Sequence, residues 1–391
     1  MPVVVITGSR QTGKTTLTQQ MALLRGRRFV SLDDISLLDQ AERDPDSLLA
    51  ELPVTIDEVQ RVPKLLLAIK RRVDRDRQPG SIVLTGSANL SLMNSVGESL
   101  AGRAYYLELP PFCAAEWNGQ RSTLVDQLLD PGFAVSNWPA GGIADRASWL
   151  ASGGYPGVLA LAPEHRSLWF SGYVQTYLER DLRQLSNVSS LADFQRLMKL
   201  AALRTARLLN QADISRDAAL SGPTGHRYLN LLETGYQIAR LANYRRNPGR
   251  SLAKAQKLMW TDAGLAAWLA GVDGAALEQR PDCGFWLEQI VFQTLQAWRA
   301  LDTRRALHFW REGSLEVDFV MEDSRGLAGI EVKSTRTIVG EDLRGLQAFQ
   351  TGFAKAGRKP RGIVLYGGDT ARTIGEGLYA LPLWPFCPAT A

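Results

Sequence analysis

Cysteine is scarce: Cys113, Cys283 and Cys387 are the three in 391 residues. Thiols so few and so scattered supply neither a disulfide framework nor a zinc site, so the chain reads as reduced and intracellular. Long apolar runs are missing as well. None approaches the ~20 residues that a membrane span needs, and the apolar start runs straight into a glycine-rich loop instead of a signal cleavage site. A cytoplasmic protein without membrane contact is expected. Nor is there a strong charge of one sign, since charged residues make up 22% and the formal net charge is +5. With 45% apolar residues the chain has material for real cores, and its length suggests roughly two or three domains.

What is present begins with the first sixteen residues, MPVVVITGSRQTGKTT. Val3 to Thr7 form the short apolar run of a fully buried strand, and Gly8 to Thr15 fit G-x-x-x-x-G-K-[ST] without a mismatch. Gly8 and Gly13 let the backbone turn so that successive N–H groups converge on an anion, with the positive end of a following helix aimed at the same point. Lys14 would reach the β- and γ-phosphates and the Thr15 hydroxyl would ligate Mg²⁺. Gly8, Ser9, Arg10, Gln11, Thr12, Gly13, Lys14, Thr15 and Thr16 are therefore the candidate ATP-binding residues.

Further along, RRFVSLDD reads as a second strand, Ser36 to Leu49 as a helix, and LPVTIDEVQ as an apolar strand ending in Asp57 and Glu58. Acidic residues at the tip of a buried strand need a reason. Beside a phosphate loop, Asp57 would hold the Mg²⁺ shell next to Thr15 and Glu58 would polarise the attacking water; a plain helix-capping role is the alternative. A helix from about Pro63 to Arg75 leads to SIVLTGSAN, where Ser87 and Asn89 stand either as sensors of the γ-phosphate or in a turn. Arg103 precedes a fifth apolar strand, Tyr105 to Leu109. It is a candidate arginine finger reaching a neighbouring copy's nucleotide in a homo-oligomer, or else an ordinary surface ion pair.

The stretches GSRQTGKTT, TIDEVQRVP, LTGSANL and LAGRAYYLELPPF, in this order and spacing, resemble the core of a family of prokaryotic AAA+ type ATPases. The likeness continues through GGYPGVL, TYLERDLRQL, TGHRYLNLLE, MWTDAGLAAWLAG and EVDFVMED…GIEVKST, covering almost the whole chain. It implies ATP and Mg²⁺ as ligands and a C-terminal half joined to the ATPase core. Relatives carry a segment before the first strand that helps to hold the base. Here Met1 and Pro2 precede Val3, so base contacts are not among the residues that the resemblance assigns.

Residues 118–150 are rich in Gly, Pro, Asn and Trp and read as a linker; Ala151 to Leu185 turns helical, as a lid would. Trp169, Tyr173 and Tyr177 lie at near-helical spacing, the stripe of a core more than of a stacking platform. Between Gln195 and Trp260 there are twelve Lys/Arg against three Asp/Glu, a candidate polyanion-binding surface or a solvated basic face. There Leu191 to Leu208 reads as a helix, and Asp213 to Leu220 with Gly225 to Glu233 has helix-turn-helix spacing. A ribbon around Asn247-Pro248-Gly249 follows, a winged helix in outline. His226, Arg227 and Asn230 on the second helix, with Arg245, Arg246 and Arg250 on the wing, are the candidate DNA contacts; a protein-protein spacer is the alternative.

From Trp260 onward the pattern helix, three strands, helix, two strands resembles the restriction-endonuclease (PD-(D/E)xK) core. Asp318 lies on one strand and Glu331-Val332-Lys333 on the next, where alternation puts Glu331 and Lys333 on one face. Asp318 and Glu331 would hold Mg²⁺ through oxygens, Lys333 would activate water, and Glu288 is a fourth candidate member; a nuclease-like fold kept only for binding is the alternative. The expected architecture is thus α/β: an AAA+ type P-loop ATPase core over residues 1–117, linker and helical lid over 118–190, a winged-helix-like basic segment over 191–259, and a restriction-endonuclease-like domain over 260–391. DNA is the expected partner of such a chain, RNA or protein its rivals.

Overall fold

A computed structural model describes residues 1–86, 100–119, 124–139, 145–177, 190–245, 256–354 and 359–387. The chain folds into two compact units, one made of Met1–Pro110, Gln175–Ser189 and Thr234–Tyr236, the other of Pro111–Val174, Ser190–Glu233 and Gln237–Ala391.

The first unit is a parallel sheet in the order β2-β3-β4-β1-β5, with strands Val3–Thr7 (β1), Arg28–Ser31 (β2), Val54–Asp57 (β3), Ile82–Thr85 (β4) and Ala104–Glu108 (β5). Valine and isoleucine dominate β1, β3 and β4, as strands buried on both faces require. Helices Lys14–Leu24 (α1), Ile35–Arg43 (α2) and Leu65–Arg75 (α3) make the crossovers. Leu65, Leu66, Ala68, Ile69 and Val73 of α3 pack into the same core as Val3, Val5, Val54 and Ile56. The helix expected over 36–49 ends at Arg43 and a 3₁₀ turn, Ser47–Leu49, follows. Asp34, at the end of the second strand's DD pair, caps α2 by accepting from the N–H groups of Ser36 at 2.8 Å and Leu37 at 3.3 Å. Because all five strands run the same way, their C-terminal ends lie on one edge, where an open α/β sheet places its ligand site.

In the second unit, helices Arg146–Ser152 (α4), Pro163–Thr176 (α5, its last two residues in the first unit) and Leu191–Ala202 (α6) precede a short strand Arg207–Leu208 (β6). The helix expected over 191–208 therefore stops six residues early. Helices Gln211–Asp217 (α7) and Gly222–Thr234 (α8) then lead to strands Ile238–Leu241 (β7) and Lys257–Trp260 (β8), which pair with β6 in an antiparallel sheet of order β6-β8-β7. Of the aromatic stripe, Tyr173 and Tyr177 are buried, and Trp169 stacks on Tyr173 with ring centroids 5.2 Å apart.

Helices Ala263–Ala270 (α9) and Cys283–Ala300 (α10) connect to a six-stranded mixed sheet. Its strands are Ala306–Glu312 (β9), Leu315–Asp323 (β10), Gly326–Val332 (β11), Arg361–Tyr366 (β12), Arg372–Gly375 (β13) and Leu378–Pro382 (β14), in the order β13-β14-β12-β11-β10-β9. Helix Arg344–Phe353 (α11) covers one face through Leu346 and Phe349. Strand β13 went unforeseen, because ARTIGEG is short, polar and interrupted by glycine.

Helix α10 is buried almost all round, yet carries glutamines. They replace backbone partners where α10 crosses its neighbours: Gln289 accepts from the Trp260 N–H at 3.0 Å and donates to the Trp260 carbonyl at 2.7 Å. Gln293 accepts from Ala263 N–H at 2.9 Å and donates to the Phe112 carbonyl at 2.8 Å. Buried polar groups persist only when satisfied in this way. Asp262, fully buried at the start of α9, accepts from the N–H groups of Gly154 at 2.6 Å and Leu265 at 2.7 Å. Gly153 has φ +61°, and a Cβ there would stand 2.3 Å from an Asp262 carboxylate oxygen, so the GGYP stretch needs its first glycine.

Candidate active site

The strand β1 ends at Thr7 and the chain turns through the loop 8–13 into α1. Gly8 has φ +136°, and a Cβ on it would stand 2.4 Å from the Leu109 carbonyl oxygen. Gly13 caps α1 in the left-handed conformation. No other residue type meets both demands at Gly8. The loop is held from within: the Thr12 hydroxyl donates to the Ser9 carbonyl at 3.1 Å, and the buried Lys14 ammonium donates to the carbonyls of Gly8 at 3.0 Å and Ser9 at 2.6 Å. Lys14 thus arches back over the loop, the placement from which an ammonium meets a phosphate cradled there.

Parallel register brings the acidic strand end to this loop. Val54 and Val3 both pair with Ile82, so three residues on, Asp57 stands level with Thr85 and Ile6. The Thr15 hydroxyl donates to Asp57 Oδ2 at 3.0 Å, and the Thr85 hydroxyl donates to Asp57 Oδ1. A hydroxyl and a carboxylate from different elements meet where hard oxygen donors suit Mg²⁺, and the donor set fits that ion. Glu58 follows in the left-handed conformation, φ +57°, a backbone state that disfavours a residue with a Cβ. Burial pushes its carboxyl above the usual range and Asp57 pushes it further, while a hydrogen bond from Gln60 holds it down. Such a carboxyl is a better proton acceptor than an exposed one.

Thr85 was not singled out from the sequence; the signal was a hydroxyl ending an apolar strand in LTG. Ser87 and Asn89 lie outside the described residues. Tyr236, also unforeseen, shares a side-chain hydrogen bond with Thr7 just before the loop. Arg103 is bound bidentately to Asp74, Nε to Oδ1 at 2.6 Å and a terminal nitrogen to Oδ2 at 2.9 Å. It stands before β5, at the end of the sheet away from the phosphate loop of this chain.

Across the middle segment five of the twelve cations have carboxylate partners. Arg196, Arg204, Arg216 and Arg240 pair with Asp193, Asp217, Asp213 and Glu233, and Lys257 is buried. His226 shares hydrogen bonds with Gln211 at 2.8 Å and Asn230 at 3.0 Å, and Asn230 accepts from Arg240 at 2.8 Å. Of the candidate DNA contacts, Arg227 is exposed beside the Tyr228 ring and Arg245 is half-buried; Arg246 and Arg250 lie outside the described residues.

In the mixed sheet, Asp318 and Glu331 come together as the sequence implied. Phe319 pairs with Ile330, which sets Asp318 opposite Glu331 on one face. Lys333 binds Glu331 at 3.0 Å and lies 3.7 Å from Asp342. Glu288 of α10 joins the group, but at its centre stands Lys257 of β8, at 2.5 Å from Glu288, 3.2 Å from Glu316 and 3.3 Å from Asp318. Burial pushes Glu331 up to about 8, with Asp318 adding to it and Lys333 opposing. Burial and the Asp318 charge likewise raise Glu288, while the Lys257 ammonium opposes them by charge and hydrogen bond. The expected Mg²⁺ site at Asp318 and Glu331 does not fit these surroundings. Among the described residues, no three His, Cys, Asp or Glu side chains are grouped to hold a metal ion.

Family models match three stretches of the chain: an AAA domain at residues 1–118, a domain of unknown function (DUF8612) at 144–276 and another (DUF4143) at 283–386. Two relatives, the uncharacterized proteins Rv2008c of Mycobacterium tuberculosis and Mb2031c of Mycobacterium bovis, are each 31% identical over 341 residues, 86% of this chain and 71% of theirs. The chain belongs to their family. Its N-terminal part is a P-loop AAA-type ATPase domain, which accords with the matched loop and the parallel sheet. Two solved structures are similar at low identity. The Walker-type ATPase PABY2304 of Pyrococcus abyssi is 14% identical, with a TM-score of 0.39 over 68% of this chain and 91% of that one. The RuvB Holliday junction branch migration motor of Thermotoga maritima is 16% identical, with a TM-score of 0.27 over 61% and 82%. No described helix of this family member is long and apolar enough to cross a membrane.

Proposed function

We propose that the chain binds ATP with Mg²⁺ and hydrolyses it, using Lys14 and the loop amides for the phosphates, Thr15 and Asp57 for the metal, and Glu58 as the proton acceptor. The observation that carries this reading is the convergence of Thr15 and Thr85 on the two oxygens of Asp57, one residue before a half-buried glutamate with a raised proton affinity. Loop amides and α1 bind and orient the triphosphate. Lys14 exchanges its loop carbonyls for phosphate oxygens, and Glu58 takes the proton of the attacking water. Mg²⁺, when bound, neutralises charge on the transferred phosphoryl group.

The second unit is proposed to act on nucleic acid in response to the nucleotide. Support comes from the order α6, β6, α7, α8, β7, β8, which follows a winged helix, and from the order α10, β9, β10, β11, α11, β12, which follows a restriction-endonuclease core. The contact is proposed for Arg227 and Arg245 with Arg246 and Arg250, fewer cations than the charge count suggested. Purified protein assayed for phosphate release with Mg²⁺-ATP, with and without duplex DNA, tests both parts. Release stimulated by DNA, with DNA affinity falling steeply with salt at about 0.9 log units per phosphate contact, is expected. No release under any condition overturns the ATPase reading, and salt-independent or absent DNA binding overturns the partner.

A further inference from the structure

We propose that the acidic centre of the C-terminal sheet is compensated by a resident ammonium, Lys257, and takes no divalent ion while that lysine is in place. The inference rests on the nuclease-like reading of this domain and is tested without ATP turnover, so that each can fail alone.

Lys257 sits in KLMW, a strand otherwise apolar, with 2% of its side chain exposed. A charge so buried persists only when its donors are satisfied. An ammonium has three donors, and three carboxylates from two elements surround it: Glu288 of α10 at 2.5 Å, and Glu316 and Asp318 of β10 at 3.2 Å and 3.3 Å. The second oxygen of Asp318 accepts from the Val332 N–H at 2.8 Å. Glu331, the remaining acid of the pattern, is held by Lys333 at 3.0 Å. Each carboxylate that a metal would draw on therefore already faces a cation or an amide. A divalent ion binding these oxygens at ~2.0–2.6 Å would stand beside the buried ammonium, with a repulsion that the low dielectric there magnifies.

The consequence is chemical. A metal ion comes and goes with its concentration, whereas Lys257 is part of β8 and compensates the acids permanently, tying the three-stranded sheet to α10 and β10. The centre keeps the acidic arrangement and gives up the activated metal-bound water that strand cleavage by such a site needs. The C-terminal domain is then a binding module with a fixed charge lock.

The test is Mn²⁺ binding to nucleotide-free, full-length protein carrying Asp57→Asn to silence the ATP site, read by electron paramagnetic resonance. With Lys257 intact, the isotherm is expected to be unchanged by Asp318→Asn. Lys257→Ala is expected to gain about one bound Mn²⁺, lost again when Asp318→Asn is added. Mn²⁺ bound to the Lys257-containing protein and removed by Asp318→Asn overturns the proposal, as does a folded Lys257→Ala protein without the gain. Should Lys257→Ala not fold, the Asp318→Asn comparison on Lys257-containing protein decides by itself.

Discussion

Thr15 and Asp57, 42 positions apart in sequence, meet at 3.0 Å through a hydrogen bond from hydroxyl to carboxylate. The contact joins the first turn of α1 to the end of β3, and Thr85 fixes the second oxygen of the same carboxylate. Asp57 is thereby oriented before any ligand arrives. Asp57→Asn is expected to leave nucleotide binding in chelator nearly unchanged while weakening the Mg²⁺-dependent part about 10–100-fold, the usual effect of losing a group that orients a metal's surroundings. Titrating Mg²⁺ against a fluorescent ATP analogue measures this. Equal Mg²⁺ dependence in both proteins would remove Asp57 from the site.

Gly8 is the residue that the loop cannot exchange. With φ +136° and the Leu109 carbonyl 2.4 Å from the place of a Cβ, Gly8→Ala must shift the loop or the end of β5. Its expected outcome is loss of ATP binding together with a lowered melting temperature. Gly284→Ala, at a helical position with open space around it, is the control expected to change neither. Retained ATP affinity in Gly8→Ala would show that the loop adapts.

The Lys257 cluster has a stability signature. Lys257→Ala leaves Glu288 and Asp318 buried and uncompensated, and breaking such a group costs about 3–5 kcal/mol. Adding Glu288→Gln, which removes one of the stranded charges, is expected to restore part of the loss. Urea unfolding of the single and double variants checks both statements, and additive losses would show that the two residues act independently.

Asp262 gives a pH dependence whose sign is fixed by its burial, which pushes it up to about 6 against hydrogen bonds from Gly154 and Leu265 that hold it down. The folded state therefore keeps a proton that the unfolded state, with an ordinary aspartate near pH 4, has already released. Its contribution is fully present below about pH 4 and is lost as pH rises through 6, amounting to roughly 3 kcal/mol at 1.36 kcal/mol per unit. Wild type should lose stability relative to Asp262→Asn between pH 4 and pH 7. A constant difference across that range would show that Asp262 stays ionised when folded.

The ATPase half was legible because its signals are local: a loop of fixed spacing, an apolar strand ending in two acids, and helices whose apolar faces repeat at 3.6 residues. Asp318, Glu331 and Lys333 were legible for the same reason, strand alternation. Lys257 was not. It lies 61 positions before Asp318, and in a charge count it passes for one more cation of a basic surface, since only tertiary packing reveals that it points inward. The partners of Arg240 and His226, Glu233 and Gln211, were likewise not legible, because they are brought close only by tertiary packing. Thr85 was overlooked beside the more polar Ser87 and Asn89, although register sets it level with Asp57.

The measurement that bears most directly on the account is steady-state phosphate release from Mg²⁺-ATP by wild type, Lys14→Ala and Glu58→Gln, with nucleotide binding measured on the same preparations. The account predicts turnover by wild type and loss of binding and turnover together in Lys14→Ala. Glu58→Gln should keep binding with turnover reduced about 10²–10⁴-fold, the worth of a positioned proton acceptor. Turnover in Glu58→Gln equal to wild type would contradict it.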